Sequence, residues 1–228
     1  LPFFFLPVCF LAGAQRANAE SYVESLNKAS KAMVGRDFLQ VLKCTALGLQ
    51  AAPHEANLLF LRARAFHELH RPQEALTVYE QLLKEKPDAR YISSSYQDMA
   101  VCCADLQRLP AAQKYLDQAI ALSPSAYAFK LKGQIFRLQD DEAKALVYLK
   151  KAVEMDPKDY WGIRELTYCY TAQKNYPEAL KESCRLVKLR PGEPDSYAIR
   201  AKIYEKLGQT AQAKKDFDMA RSKTDFPF

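Results

Sequence analysis

The chain has 228 residues, 49% of them hydrophobic and 26% charged, with 33 Lys and Arg against 27 Asp and Glu for a formal charge of +6. That composition can bury a sizeable core and excludes disordered and collagen-like chains. With only 7 glycines and 6 cysteines, a Gly-rich phosphate loop, a turn-dense β-sandwich and a disulfide-framed mini-domain are all disfavoured, and so mild a charge excess is a weak sign of nucleic acid.

Residues 1–14, LPFFFLPVCFLAGA, are uncharged and mostly large and apolar. Ala17 and Ala19 then fit the small-x-small rule of signal peptidase, so residues 1–19 are expected to be a signal peptide. It is expected to be N-terminally incomplete, because neither a methionine nor a basic segment precedes Leu1. The mature chain would begin near Glu20 and be exported, periplasmic or extracellular. The alternative is an anchor that ties the chain to a membrane through this apolar segment, although the run is short for an ordinary spanning helix. A lipoprotein reading would use Cys9, but Val8 stands where a small residue is needed.

From Glu20 onward the sequence repeats. Pro53, Pro87, Pro124, Pro157 and Pro191 are spaced by 34, 37, 33 and 34 residues. Twelve residues before them stand Val41, Ala75, Ala112, Ala145 and Ala179, with Ala213 one period later. Twelve residues further back stand Ala29, Ala63, Ala100, Gly133, Thr167 and Ala201. Aromatics often follow these by three residues, at Phe66, Phe136, Tyr170 and Tyr204. A second ring position holds Tyr79 and Phe217, with Leu116 and Leu149 between.

The pattern has a mechanical meaning. Small residues at two fixed places let two helices cross closely, and the ring fills the space beside the crossing. Proline stops the second helix, because it lacks an amide hydrogen and disfavours helix in its predecessor. Each unit is then a helix–turn–helix that cannot bury its apolar face alone, so neighbours must stack. The predicted fold is all-α, a right-handed superhelical solenoid of about six such hairpins. The spacing of 37 predicts a longer loop of about three extra residues around Arg90, Tyr91 and Ile92.

On these residues the chain resembles the tetratricopeptide repeat family, as a bacterial exported member. The resemblance places an array over residues 20–228, with repeats near 22–55, 56–92, 93–125, 126–159, 160–193 and 194–227. The first and last repeats depart from the pattern, as capping repeats do. A covering helix after the sixth repeat is not expected; Phe226 and Phe228 are expected to fold back onto it, the alternative being that this face packs against another copy or a partner.

The family's inward-facing positions lie on the first helix of each hairpin. Carried over, they give Phe60, Arg64 and His67 in the second repeat, and Gln97, Asp98 and Asp105 in the third. The fourth gives Tyr127, Lys130, Gln134 and Arg137, and the fifth Trp161, Arg164, Glu165 and Tyr168. The sixth gives Asp195, Lys202 and Lys206. From these, the partner-binding groove is assigned to Phe60, Arg64, Tyr127, Lys130, Gln134, Arg137, Trp161, Arg164, Tyr168 and Lys202. Aromatic residues and arginine dominate binding hot spots, and a guanidinium grips a carboxylate with two bonds. Residues 20–125 hold 12 basic and 12 acidic side chains, whereas residues 126–228 hold 20 and 15. An extended, acidic segment is therefore the expected ligand, with capture lost and helicity unchanged on reversing Arg137 and Arg164 together. The carboxylate clamp of the family's heat-shock cochaperones is absent: Glu165 stands where asparagine should, and Asp195 and Ile199 where lysine and arginine should.

Searches for chemistry return little. His67 and His70 share a helix end with no third ligand at fixed spacing, so no metal is expected. Cys102, Cys103 and Cys169 read as buried thiols, and Cys169 with Cys184 is the pair worth testing for a disulfide. Asp140, Asp141 and Glu142 read as a solvated turn, and hydrolase, zincin and P-loop patterns are missing. The expected function is non-catalytic protein–protein binding as a scaffold or adaptor, with a protein or peptide partner. No enzyme activity, cofactor, nucleic acid or small-molecule substrate is expected. The alternatives are a chaperone-like holder of unfolded or secreted clients and an accessory regulatory subunit of an envelope enzyme complex.

Overall fold

The structure, a computed structural model, describes residues 7–224, with side-chain environments from Ser21 to Lys223. Its regular elements are twelve α-helices, with no strand among the described residues. They pair as α1 (Pro7–Val34) with α2 (Phe38–Ala51), α3 (Ala56–Glu68) with α4 (Pro72–Lys84), and α5 (Ala89–Asp105) with α6 (Leu109–Leu122). Then come α7 (Ala126–Arg137) with α8 (Glu142–Met155), α9 (Tyr160–Ala172) with α10 (Tyr176–Leu189), and α11 (Pro194–Lys206) with α12 (Thr210–Thr224). The six hairpins fall into two compact units, one ending at Leu122 and the other starting at Ser123.

The punctuation in the sequence sets these bounds. Pro53, Pro87, Pro124, Pro157 and Pro191 each lie just beyond the second helix of a hairpin. Several helices start on a side-chain cap: Asp37 accepts from the Gln40 amide, Ser125 from Ala128, Asp141 from Lys144 and Asp159 from Trp161. Pro72, Pro177 and Pro194 occupy first-turn positions, where a missing amide hydrogen costs nothing.

Every hairpin turns in the same way. Two or three residues past the end of the first helix, the backbone turns left-handed at Arg36, His70, Gln107, Asp140, Lys174 and Gly208, with φ between 57° and 72°. The following amide closes back onto the helix: Asp37 to Ala32, Arg71 to Phe66, Arg108 to Cys103, Asp141 to Phe136, Asn175 to Tyr170 and Gln209 to Tyr204. This is the Schellman reversal, which satisfies carbonyls that the helix end leaves open.

The twelve small-residue positions read from the sequence are all buried at the crossings. At Gly133 an added Cβ would lie 2.6 Å from Leu149 Cγ and 3.3 Å from the Ala145 carbonyl, so α7 and α8 touch nearly backbone to backbone. In the second unit, Ala145, Leu149, Tyr160, Ile163, Tyr170 and Leu186 belong to one continuous core that also takes in Ile199 and Ile203. The last hairpin is tied by a bidentate pair: Arg200 Nε and Nη2 donate to the buried Asp216 carboxylate at 2.7 and 2.8 Å.

One expectation is corrected. Arg90, Tyr91 and Ile92 are not a loop but the first turn of α5, which follows directly on Asp88 as N-cap. The extra residues lengthen a helix and place the Tyr91 ring 5.4 Å from Phe60. The disulfide pairing does not form either. Cys169 Sγ faces the Glu142 carbonyl at 3.3 Å, while Cys184 lies beside Arg200, and both thiols are free.

Of the expected signal peptide, residues 1–6 lie outside the described residues, and from Pro7 the backbone is helical through Ala17 and Ala19 into the rest of α1. Phe226 and Phe228 also lie outside them. Among the described residues, no helix is long and apolar enough to cross a membrane.

Candidate functional site

First helices of successive hairpins meet directly at α1 with α3, α3 with α5 and α7 with α9. The groove residues lie on these helices and on α11. Phe60 and Arg64 belong to the first unit, and the other eight to the second.

In the second unit, Tyr127 and Trp161 stand at the starts of α7 and α9, 44% and 45% exposed. Arg164, one turn after Trp161, lays its guanidinium over the Trp161 ring at 4.3 Å and near the Tyr168 ring at 5.9 Å. Its Nε is buried without a hydrogen-bond partner, and among the described residues no carboxylate pairs with it. Arg190, just past α10, covers Tyr160 at 4.4 Å and approaches Trp161 at 5.5 Å. The indole is thus held by two cations through its π-face, an attraction that strengthens as water is excluded. Tyr168 is half-buried, and burial pushes its phenol above the usual range. Gln134 is half-buried on α7, and Lys202 is exposed on α11.

Two of the expected groove cations are already neutralised. Lys130 Nζ lies 2.8 Å from Asp159 Oδ2, and both side chains are largely buried. Asp159 uses its other oxygen to cap α9 through the Trp161 amide at 3.1 Å, so one carboxylate starts α9 and fastens it to α7. Arg137 donates to the buried Glu165 carboxylate and places its guanidinium 5.6 Å from the Tyr168 ring. Reversing Arg137 would set a second carboxylate against Glu165. The expectation that reversing Arg137 with Arg164 leaves helicity unchanged is therefore revised, and Arg164 is the informative target.

The first unit presents a different face. The Phe60 ring is half-buried, edge-on to Tyr79 at 6.1 Å and to Tyr91, with exposed Arg64 at 5.9 Å. Tyr91 donates to Asn57, and Tyr79 donates to Asp98 Oδ2 at 2.8 Å. Burial pushes the Asp98 carboxyl above the ordinary carboxylate range, while the Tyr79 hydroxyl and Arg64 pull it part of the way back. Burial pushes the neighbouring Cys102 thiol up to about 12, and Cys169 likewise, so both are poor nucleophiles at neutral pH. His67 Nε2 contacts Asp105 at 3.2 Å, and His70 is the left-handed turn residue. Among the described residues, no cluster of His, Cys, Asp and Glu has the make-up of a metal site.

Asp159 and Arg190 were absent from the sequence-derived set. Asp159 carries a detectable signal, an acidic residue immediately before a helix start. Arg190 carries none, because only the packed hairpin brings it to Tyr160.

Hairpins of one design, joined by one turn type and presenting side chains from their first helices, define a helical-repeat protein. The chain belongs to the tetratricopeptide repeat family. Models described as tetratricopeptide repeat match residues 45–90 and 104–160, 137–203, and 194–220. BBSome complex member BBS4 from Bos taurus is 28% identical over 173 residues, 75% of this chain and 31% of that protein. The chain thus spans about a third of the length of that curated relative. The crystal structure of PilW, a widely conserved type IV pilus biogenesis factor, superposes with a TM-score of 0.78 at 20% identity, over 90% of this chain and 94% of that one. YrrB, a tetratricopeptide repeat protein with an unusual peptide-binding site, superposes with a TM-score of 0.61 at 17% identity, over 78% of this chain and 91% of that one.

Proposed function

We propose that the protein is a non-catalytic interaction scaffold whose second unit holds an extended, acidic segment of a partner across α7, α9 and α11. The observation that carries this reading is Arg164: a half-buried guanidinium, oriented by Trp161 and Tyr168, with no carboxylate partner among the described residues. A ligand carboxylate reaching it would gain a charge-assisted bond without breaking an internal pair. Tyr127 and Trp161 would supply rigid contact area beside it, and Lys202 a second, more exposed positive charge. Lys130 and Arg137 hold the face in shape. YrrB, by its title a peptide binder, and BBS4, by its name a member of a complex, are in keeping with this role. Export rests on residues 1–19 and belongs to the same proposal, and PilW, a pilus biogenesis factor, is in keeping with it.

The test is charge reversal at one residue. A photoreactive residue at Tyr168 should trap a partner protein in the wild-type background. Arg164→Glu should reduce capture at least about tenfold, equivalent to about 1.4 kcal/mol, with helicity unchanged. Undiminished capture would refute the assignment of Arg164. An array of peptides separates adaptor from holder: a single acidic sequence class bound supports the proposal, whereas broad apolar binding through Tyr127 and Trp161 supports a chaperone-like holder.

A further inference from the structure

The first unit carries a feature that the inward-facing positions do not explain. Between α4, α5 and α6 lies a cavity of about 550 Å³, within the size range of small-ligand pockets. Leu83 and Met99 line it together with the rings of Tyr96 and Tyr115, which stack at 6.0 Å with an interplanar angle of 20°. Lys84 and Lys114, both exposed, reach its rim from α4 and α6. Glu80 and Gln118 share that rim and offer acceptors for an N–H group.

Apolar walls with two cations and one carboxylate at the mouth favour an amphipathic anion that also offers an N–H donor. We propose that this cavity receives the C-terminal aromatic residue of a partner chain: the ring against Tyr96, Tyr115 and Met99, the terminal carboxylate at Lys84 and Lys114, and its amide N–H toward Glu80 or Gln118. The volume accommodates one aromatic side chain with its backbone groups. The site is independent of Arg164, which lies in the other unit.

The full-length chain can be probed with anilinonaphthalenesulfonate, an aromatic anion that fluoresces when desolvated. A saturable enhancement should be displaced by N-acetylphenylalanine, and about tenfold less well by the uncharged N-acetylphenylalanine amide. Ala111→Trp, which fills the cavity from α6, should abolish the enhancement. If that variant loses helicity, Lys84→Glu with Lys114→Glu decides instead, since both side chains are exposed; it should weaken binding of both anions about tenfold. Equal displacement by the amide, or unchanged binding in folded variants, would overturn the proposal.

Discussion

The two units use one hairpin frame to make opposite faces. In the first, the inward-facing ring is Phe60, set one turn into its helix and closed in by Tyr79 and Tyr91. In the second, the rings that matter stand at the helix starts, where Tyr127 and Trp161 meet solvent. The charges differ in the same sense. Asp98 and Asp105 give the first unit an acidic face tempered by Arg64 and His67, while the second unit's face centres on Arg164. Net charge overstates this contrast, because Lys130 and Arg137 are absorbed by Asp159 and Glu165. What counts at such a face is which cations remain unpaired after the hairpins have stacked.

The sharpest way to break the comparison is to remove a paired cation and an unpaired one. Arg137→Ala leaves the buried Glu165 carboxylate alone and should cost about 3 kcal/mol in chemical denaturation. Arg64→Ala, on an exposed side chain of the first unit, should cost less than about 0.5 kcal/mol. Equal losses would mean that the Arg137 pair is not structural.

A smaller effect distinguishes the two units at the small-residue crossing. Ala63 already carries a Cβ in the first unit, but Gly133→Ala should destabilise the second by about 1–3 kcal/mol, because Leu149 and the Ala145 carbonyl occupy the space. A neutral result by thermal unfolding would show that α7 and α8 can move apart.

The smallest effect concerns Asp98. Its folded carboxyl keeps a proton to higher pH than the unfolded one, so its contribution is fully present below the ordinary carboxylate value. Stability should then fall as pH rises through the window between the ordinary and the elevated value. Asp98→Asn keeps an acceptor for Tyr79, and should flatten that slope and raise stability at neutral pH. A wild-type curve already flat across that window would contradict the assigned burial.

The hairpins were legible because their signals are local and periodic. Proline marks helix ends, and small residues twelve apart mark the crossings. At the start of α5 the spacing announces extra residues but not their conformation; the helix absorbs them, with Asp88 at the N-cap position accepting through its backbone carbonyl from the Tyr91 and Ile92 amides. The candidate site was legible as a set of positions and not as a set of free groups. Lys130 and Asp159 are 29 residues apart, and Arg137 and Glu165 are 28 apart, so each pair joins one repeat to the next. Such couplings are set by stacking, which no local window contains. The cavity beside Tyr115 was missed for the same reason.

The reversal inside each hairpin carries Arg36, His70, Gln107, Asp140 or Lys174 as readily as Gly208. Its shape is therefore enforced by backbone bonding and not by the side chain that rides on it. A gene stretch encoding one brick of this wall can be duplicated in tandem, and the copies can drift at their corners without losing the bend. Selection is then free to rewrite what each brick presents, and that is how neighbours sharing one architecture come to differ in what they hold.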